Sequence, residues 1–280
     1  MANMDVIDAG KQPKQAAKRR FHIPSQVQPD TLFHFVSSPE YLFEILKMKA
    51  IAPRYCAEDV RYLRLNMKML AYPMSCFCDI SLQKLEQHMA CYGFFGVAFP
   101  KAWCIEKGLQ PVLYMNSNAM LMNDFRVAFR SAMRLVADGS PAERDVLADY
   151  LVHQLMYYKP YQGRTKFRVD GRNHNKCFAD ECEWRYIPDL SAIDMPMVVR
   201  DQWAIDNYKN IYNEVLKECD ETHLKFDYDD LKYIMVKTPG DFSRLLKVVD
   251  GLKGVGVLGE QEANRLLSKV LVWTEIKGDL

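Results

Sequence analysis

Two carboxylates stand two residues apart in Phe178-Ala179-Asp180-Glu181-Cys182-Glu183-Trp184-Arg185-Tyr186, at the start of an aromatic run. Residues i and i+2 of a strand share a face, so a strand beginning at Glu181 would aim Glu181 and Glu183 together and Trp184 away with Cys182. A carboxylate beside another has its pKa raised, which suits it to bind a hydroxyl or to stabilise developing positive charge. The alternative is an exposed acidic strand edge with Arg185 as a local ion-pair partner. Other polar residues fall on strand-like runs in chain order: His34 on the first, Ser75 on the second, and Tyr92 after the helix that follows. Taken singly, each also suits a packed core.

The elements that would position them are short and mixed. Thr31–Val36 reads as a strand, and Ser38-Pro39-Glu40 starts a helix ending near Lys49. Ala52-Pro53-Arg54-Tyr55 reads as a loop. Tyr72–Cys78 reads as a buried strand, followed by a helix capped by Ser81 and closed by Gly93. A strand at Gly96–Phe99, a short helix at Pro100–Lys107 and a strand at Pro111–Met115 come next. Residues 117–158 are expected to be a helical insertion, its second helix opened by the capping box Ser140-Pro141-Ala142-Glu143. Strands are expected at 166–169, 184–188, 233–236 and 270–273, and helices at 200–218, from Thr238-Pro239, and at 260–268. This irregular mixture predicts an α+β fold over residues 31–280. Residues 1–30, with Lys11, Lys14, Lys18, Arg19 and Arg20, read as a basic, disordered arm.

Composition excludes several classes. Of 280 residues, 49% are hydrophobic and 26% charged, and the net charge is +1, so no global field points to nucleic acid or membrane. Eight cysteines without a C-x-x-C pair, and no signal peptide, suggest a reducing cytoplasm. No apolar run is long enough to span a membrane. His174-x-x-Cys177-x-x-x-x-Cys182 could be half of a zinc site, but lacks a second ligand pair, so no metal is expected. Asp227, Asp229 and Asp230 supply acids for a magnesium nuclease, though without the alternating apolar context of a metal-binding strand. Phosphate-loop, dinucleotide and zincin signatures are missing. The glycines at 251, 254, 256 and 259 follow a helix and read as a flexible turn.

Several blocks carry a resemblance. Leu32-Phe33-His34-Phe35, Ala52-Pro53-Arg54-Tyr55-Cys56-x-Glu58-Asp59, Pro73-Met74-Ser75-Cys76-Phe77-Cys78-Asp79-Ile80 and Tyr92-Gly93-x-x-Gly96-Val97 resemble the AbiGi family of abortive phage resistance proteins. So do Lys101-x-Trp103-x-x-x-x-Gly108-Leu109-x-Pro111-Val112-Leu113-Tyr114, Glu181-x-Glu183-Trp184-Arg185-Tyr186-Ile187-Pro188 and Leu231-Lys232-Tyr233-Ile234-Met235-Val236. That resemblance implies an anti-phage protein, often an antitoxin partner of a nucleotidyltransferase-like toxin. A more distant one is similar to ADP-ribosyltransferases and implies their mixed sheet, with NAD as substrate and a nucleic-acid or protein target. On that resemblance His34 would contact the NAD ribose, Ser75 and Tyr92 would position the nicotinamide, and Arg54 would hold the pyrophosphate. Glu183 would be the catalytic acid, with Glu181 orienting the acceptor. A fixed carboxylate stabilises an oxocarbenium-like ribose more than its neutral ground state. Two functions follow as expectations: an ADP-ribosyltransferase-like defence enzyme, or an antitoxin or regulatory subunit that binds a toxin without catalysis.

Overall fold

The computed structural model describes residues 23–138, 141–166, 171–200 and 202–280. The first 22 residues of the basic arm, the Ser140 cap and most of the strand expected at 166–169 lie outside them.

The chain opens with β1 (Thr31–Val36), α1 (Pro39–Met48), β2 (Ala50–Ile51), β3 (Arg54–Asp59) and β4 (Met69–Cys78). Next come α2 (Leu85–Tyr92), β5 (Phe95–Pro100), α3 (Lys101–Glu106), β6 (Gln110–Pro111) and β7 (Leu113–Met115). The insertion is α4 (Met120–Asp138) and α5 (Pro141–Tyr157), leading directly into β8 (Tyr158–Pro160). A hairpin of β9 (Gln162–Lys166) and β10 (Asn173–Cys177) precedes β11 (Glu183–Tyr186) and α6 (Gln202–Glu218). The remainder is β12 (Leu224–Lys225), β13 (Tyr233–Val236), α7 (Pro239–Gly254), α8 (Glu260–Leu267), β14 (Val270–Val272) and α9 (Trp273–Ile276).

Eight strands form one sheet in the order β14-β13-β5-β1-β4-β11-β6, with β3 also paired to β4. Every pairing in it is antiparallel except β13 with β14. The α+β class and the helical insertion are therefore as the sequence indicates; nothing in the topology ties the sheet to the ADP-ribosyltransferase fold. Two local expectations fail. Arg54 and Tyr55 open β3 rather than lying in a loop, because the segment pairs with Pro73 and Met74 of β4. Gly251 and Gly254 lie within α7, not in a turn after it.

Strand alternation divides the core between the two faces. Leu32, Phe77, Phe99 and Ile234 point to the face covered by α1 and α7, where Leu42, Leu46, Leu245 and Val249 are buried. Phe33, Cys78, Ala98 and Met235 point to the other face, against Leu85 and Met89 of α2 and Trp273. Further along that second face, Leu70, Tyr72 and Met74 of β4 pack on Met122, Phe125, Leu151 and Leu155 of the insertion.

The turn that brings α2 back to the sheet depends on one glycine. Gly93 has φ +122°, and a Cβ there would stand 2.1 Å from the Val36 carbonyl oxygen. Both the backbone conformation and the contact exclude a side chain. Gly93→Ala is expected to destabilise the protein by about 2–4 kcal/mol, read as a lowered urea midpoint with an unchanged slope.

Candidate functional site

Glu181 and Glu183 do converge, by a different route from strand alternation. Glu181 ends a short helical turn at Phe178–Glu181, Cys182 takes a left-handed conformation at φ 43°, and only Glu183 opens β11. That kink turns both carboxylates onto one ammonium. Lys159 Nζ lies 2.5 Å from Glu181 Oε2 and also pairs with Glu183 Oε2. Lys159 is the middle residue of β8, which follows α5 directly and aligns it with Tyr114 of β7. The Tyr114 hydroxyl accepts the Glu183 N–H at 2.8 Å, and the Glu183 carbonyl accepts from Val112 N–H at 3.0 Å.

The pairing extends both ways. Arg185 Nε reaches Glu183 Oε1 at 2.7 Å, and its Nη2 reaches Glu58 Oε1 at 3.2 Å. Arg185 Nη1 donates to the Tyr72 hydroxyl and the Met156 carbonyl, each at 2.6 Å. At the other end Lys176 Nζ lies 2.6 Å from Glu181 Oε1, which also accepts from the Tyr92 hydroxyl. Glu58, Arg185, Glu183, Lys159, Glu181 and Lys176 thus form a row of alternating sign, three acids and three bases. Aromatic rings close it in: Lys159 lies over Phe178, Lys176 over Tyr92 and Arg185 over Tyr72. Arg185 is 0% exposed.

Burial alone would raise both carboxyls, yet their neighbours reverse it. Arg185 and Lys159 hold Glu183 far below the ordinary carboxylate range, and Lys159 and Lys176 hold Glu181 below it. Burial would lower Lys159, but Glu183 and Glu181 raise it well above an ordinary lysine. Burial raises the Tyr92 phenol well above its ordinary value, and the Glu181 carboxylate adds to the effect. The expectation of a raised carboxyl pKa is therefore corrected. The two carboxylates still repel, and Glu183 acts to raise Glu181, but the attraction of the ammonium between them and of the flanking cations outweighs it.

Of the other proposed site residues, Tyr92 joins this row and three do not. Glu183 and Phe33 are both paired with Cys78, so they share a face, and His34 points to the opposite one. His34 Nδ1 bonds the Cys76 carbonyl at 2.8 Å, and its ring packs on Phe77. Burial lowers its pKa despite that bond. Ser75, paired with Tyr186, lies on the His34 side, buried. Arg54 is exposed, with its guanidinium 5.9 Å from the Tyr41 ring centre on α1. A cleft shared by His34 and Glu183 is not formed.

Sequence reading missed Lys159, Lys176, Glu58 and Tyr72. Each lies on a different element from the acidic pair, at separations that carry no motif. The acids at 227–230 have local roles: Asp227 and Asp230 form a capping box, and Asp229 pairs with Arg265 at 3.0 Å. Among the described residues no group of three His, Cys, Asp or Glu side chains could hold a metal. No helix among them is long and apolar enough to cross a membrane.

Fold and site together define an α+β protein whose most prominent polar residues are neutralised by one another. Residues 49–237 match a family described as "Putative abortive phage resistance protein AbiGi, antitoxin". The "Abortive phage resistance protein AbiGi" of Lactococcus lactis subsp. cremoris is 30% identical over 250 residues, covering 82% of this chain and 99% of that protein. The chain belongs to the AbiGi family. No solved structure matches it. The ADP-ribosyltransferase expectation, with its NAD and transferase roles, is corrected on these grounds. The family is described as an antitoxin, and the two carboxylates assigned to chemistry are occupied by lysine and arginine.

Proposed function

We propose that this protein is the antitoxin of a two-protein abortive-infection pair and acts by binding its toxin rather than by chemistry of its own. Membership of a family described as an antitoxin carries the reading. The buried row supports it: Glu181 and Glu183 each face two cations, which stabilises their charged form and leaves neither poised to exchange a proton near neutrality. On the family resemblance the toxin is nucleotidyltransferase-like.

Stoichiometry separates a binder from a catalyst. Purified protein titrated into an activity assay of its cognate nucleotidyltransferase-like toxin should give a sharp end point at a fixed molar ratio. Full neutralisation at a hundredth of that ratio would show turnover and overturn the proposal. Co-expression should restore growth in step with the expression level of this chain.

A further inference from the structure

Among the described residues, the buried positions of α6 lie on one side. Ile205, Asn213 and Leu216 are buried, and Asn213 Oδ1 accepts the Tyr55 N–H of β3 at 2.7 Å. On its outer side Tyr208, Ile211 and Val215 recur at i, i+3 and i+7, which sets them in one stripe. They are 38%, 56% and 47% exposed, and Trp203 is 62% exposed. The Trp203 and Tyr208 rings meet edge-on, with centroids 5.4 Å apart. A helix packed on one face is expected to be polar on the other. Four large apolar side chains, two of them aromatic, instead have the composition of a binding hot spot.

The border of the stripe indicates the occupant. Glu214 and Glu218 lie on its Trp203 flank at 100° per residue. Of the two lysines of α6, Lys209 is half-buried on the side of Ile205 and Leu216, and Lys217 is tied to Glu44 of α1 at 2.5 Å. The surface is therefore an apolar strip with an acidic margin.

Resting on the antitoxin reading, we propose that the outer face of α6 docks the toxin, through a toxin surface whose apolar patch is bordered by lysine or arginine. Trp203, Tyr208, Ile211 and Val215 supply the desolvated centre. Glu214 and Glu218 steer encounter with the basic margin. This complementarity favours a basic protein over a second copy of this chain, whose own acidic margin would meet its like.

The test uses the full chain and its cognate nucleotidyltransferase-like toxin, with calorimetric titration and growth protection on co-expression. Trp203→Ala and Ile211→Glu should each weaken binding at least about thirtyfold and lose protection, while the melting temperature stays at the wild-type value, as expected for exposed positions. The double variant Glu214→Lys/Glu218→Lys should slow association and flatten its salt dependence. Leu147→Glu, on the exposed side of α5, is the control and should bind as wild type. Unchanged binding by both apolar variants, or loss confined to Leu147→Glu, would overturn the docking site while the antitoxin reading stands. A homodimer broken by the α6 variants with protection intact would assign the face to a second copy and overturn it equally. Failure of the wild type to bind the toxin would overturn the antitoxin reading itself, a result distinct from the others.

Discussion

Lys159→Met should cost about 3–5 kcal/mol of folding stability, the largest effect expected of any single side chain here. Methionine fills a similar volume but removes the ammonium between Glu181 and Glu183, both buried. Each acid keeps one cation, Lys176 for Glu181 and Arg185 for Glu183, so the loss is partial; the two carboxylates then face each other with little water to screen them. The fold responds by taking up a proton or by opening the contact between β8 and β11. Arg61→Ala removes another close ion pair, with Asp59, but at an exposed position, and should leave stability close to that of the wild type. Denaturant melts of the two variants provide the measurement. Equal, small effects would show that the row is solvated and not a structural fastening. Glu183→Gln belongs to the same series. It should destabilise the protein by stranding Arg185 and Lys159, in place of the selective loss of turnover expected of a catalytic acid, and combined with Lys159→Met it should cost less than the sum of the two.

The sequence conveys the elements well and the site poorly, and the reason is range. Helix starts such as Ser38-Pro39-Glu40 and Thr238-Pro239 are encoded within four residues, and α1 and α7 begin where those signals place them. The acidic pair was visible because Glu181 and Glu183 are neighbours in the chain. Its meaning was not, because the cations that decide it come from β8 and β10, and the acid beyond Arg185 comes from β3. Glu58 and Arg185 are separated by 127 residues, a distance over which spacing carries no information. Arg185 alone was legible as a partner for its acidic neighbours, since it lies two residues beyond Glu183 on the same strand face. His34 misled for a related reason. Its strand is legible in the sequence, yet which face it takes is fixed by the register of β1 on β4, and register is a property of the sheet.

Acid should unfold the protein in two stages, with histidines acting before carboxylates. His88 packs against Tyr92 and Phe35, and burial lowers its pKa from 6.5 to about 4 even with Glu181 nearby to raise it. Lys176 and Lys159 press the same way as burial. A histidine kept neutral in the fold takes up its proton first in the unfolded chain. Between pH 6.5 and about 4 the unfolded state therefore binds more protons, and stability must fall as pH falls. The slope is at most about 1.4 kcal/mol per pH unit for each such proton, and His34, also lowered by burial, adds to it. Glu181 and Glu183 behave differently. Their lowered values give stabilisation that is complete above the ordinary carboxylate pKa of 4.5 and is lost as pH falls below it. The urea midpoint should thus decline from pH 6.5, and continue to decline below pH 4.5 as protonation releases Lys159 and Arg185. His88→Phe keeps the ring contacts and removes the titrating group, so it should flatten the upper stage and leave the lower one intact. An upper stage of unchanged slope in that variant would mean that His88 binds its proton equally in the folded and unfolded chains, and the assignment of that stage to His88 would fail.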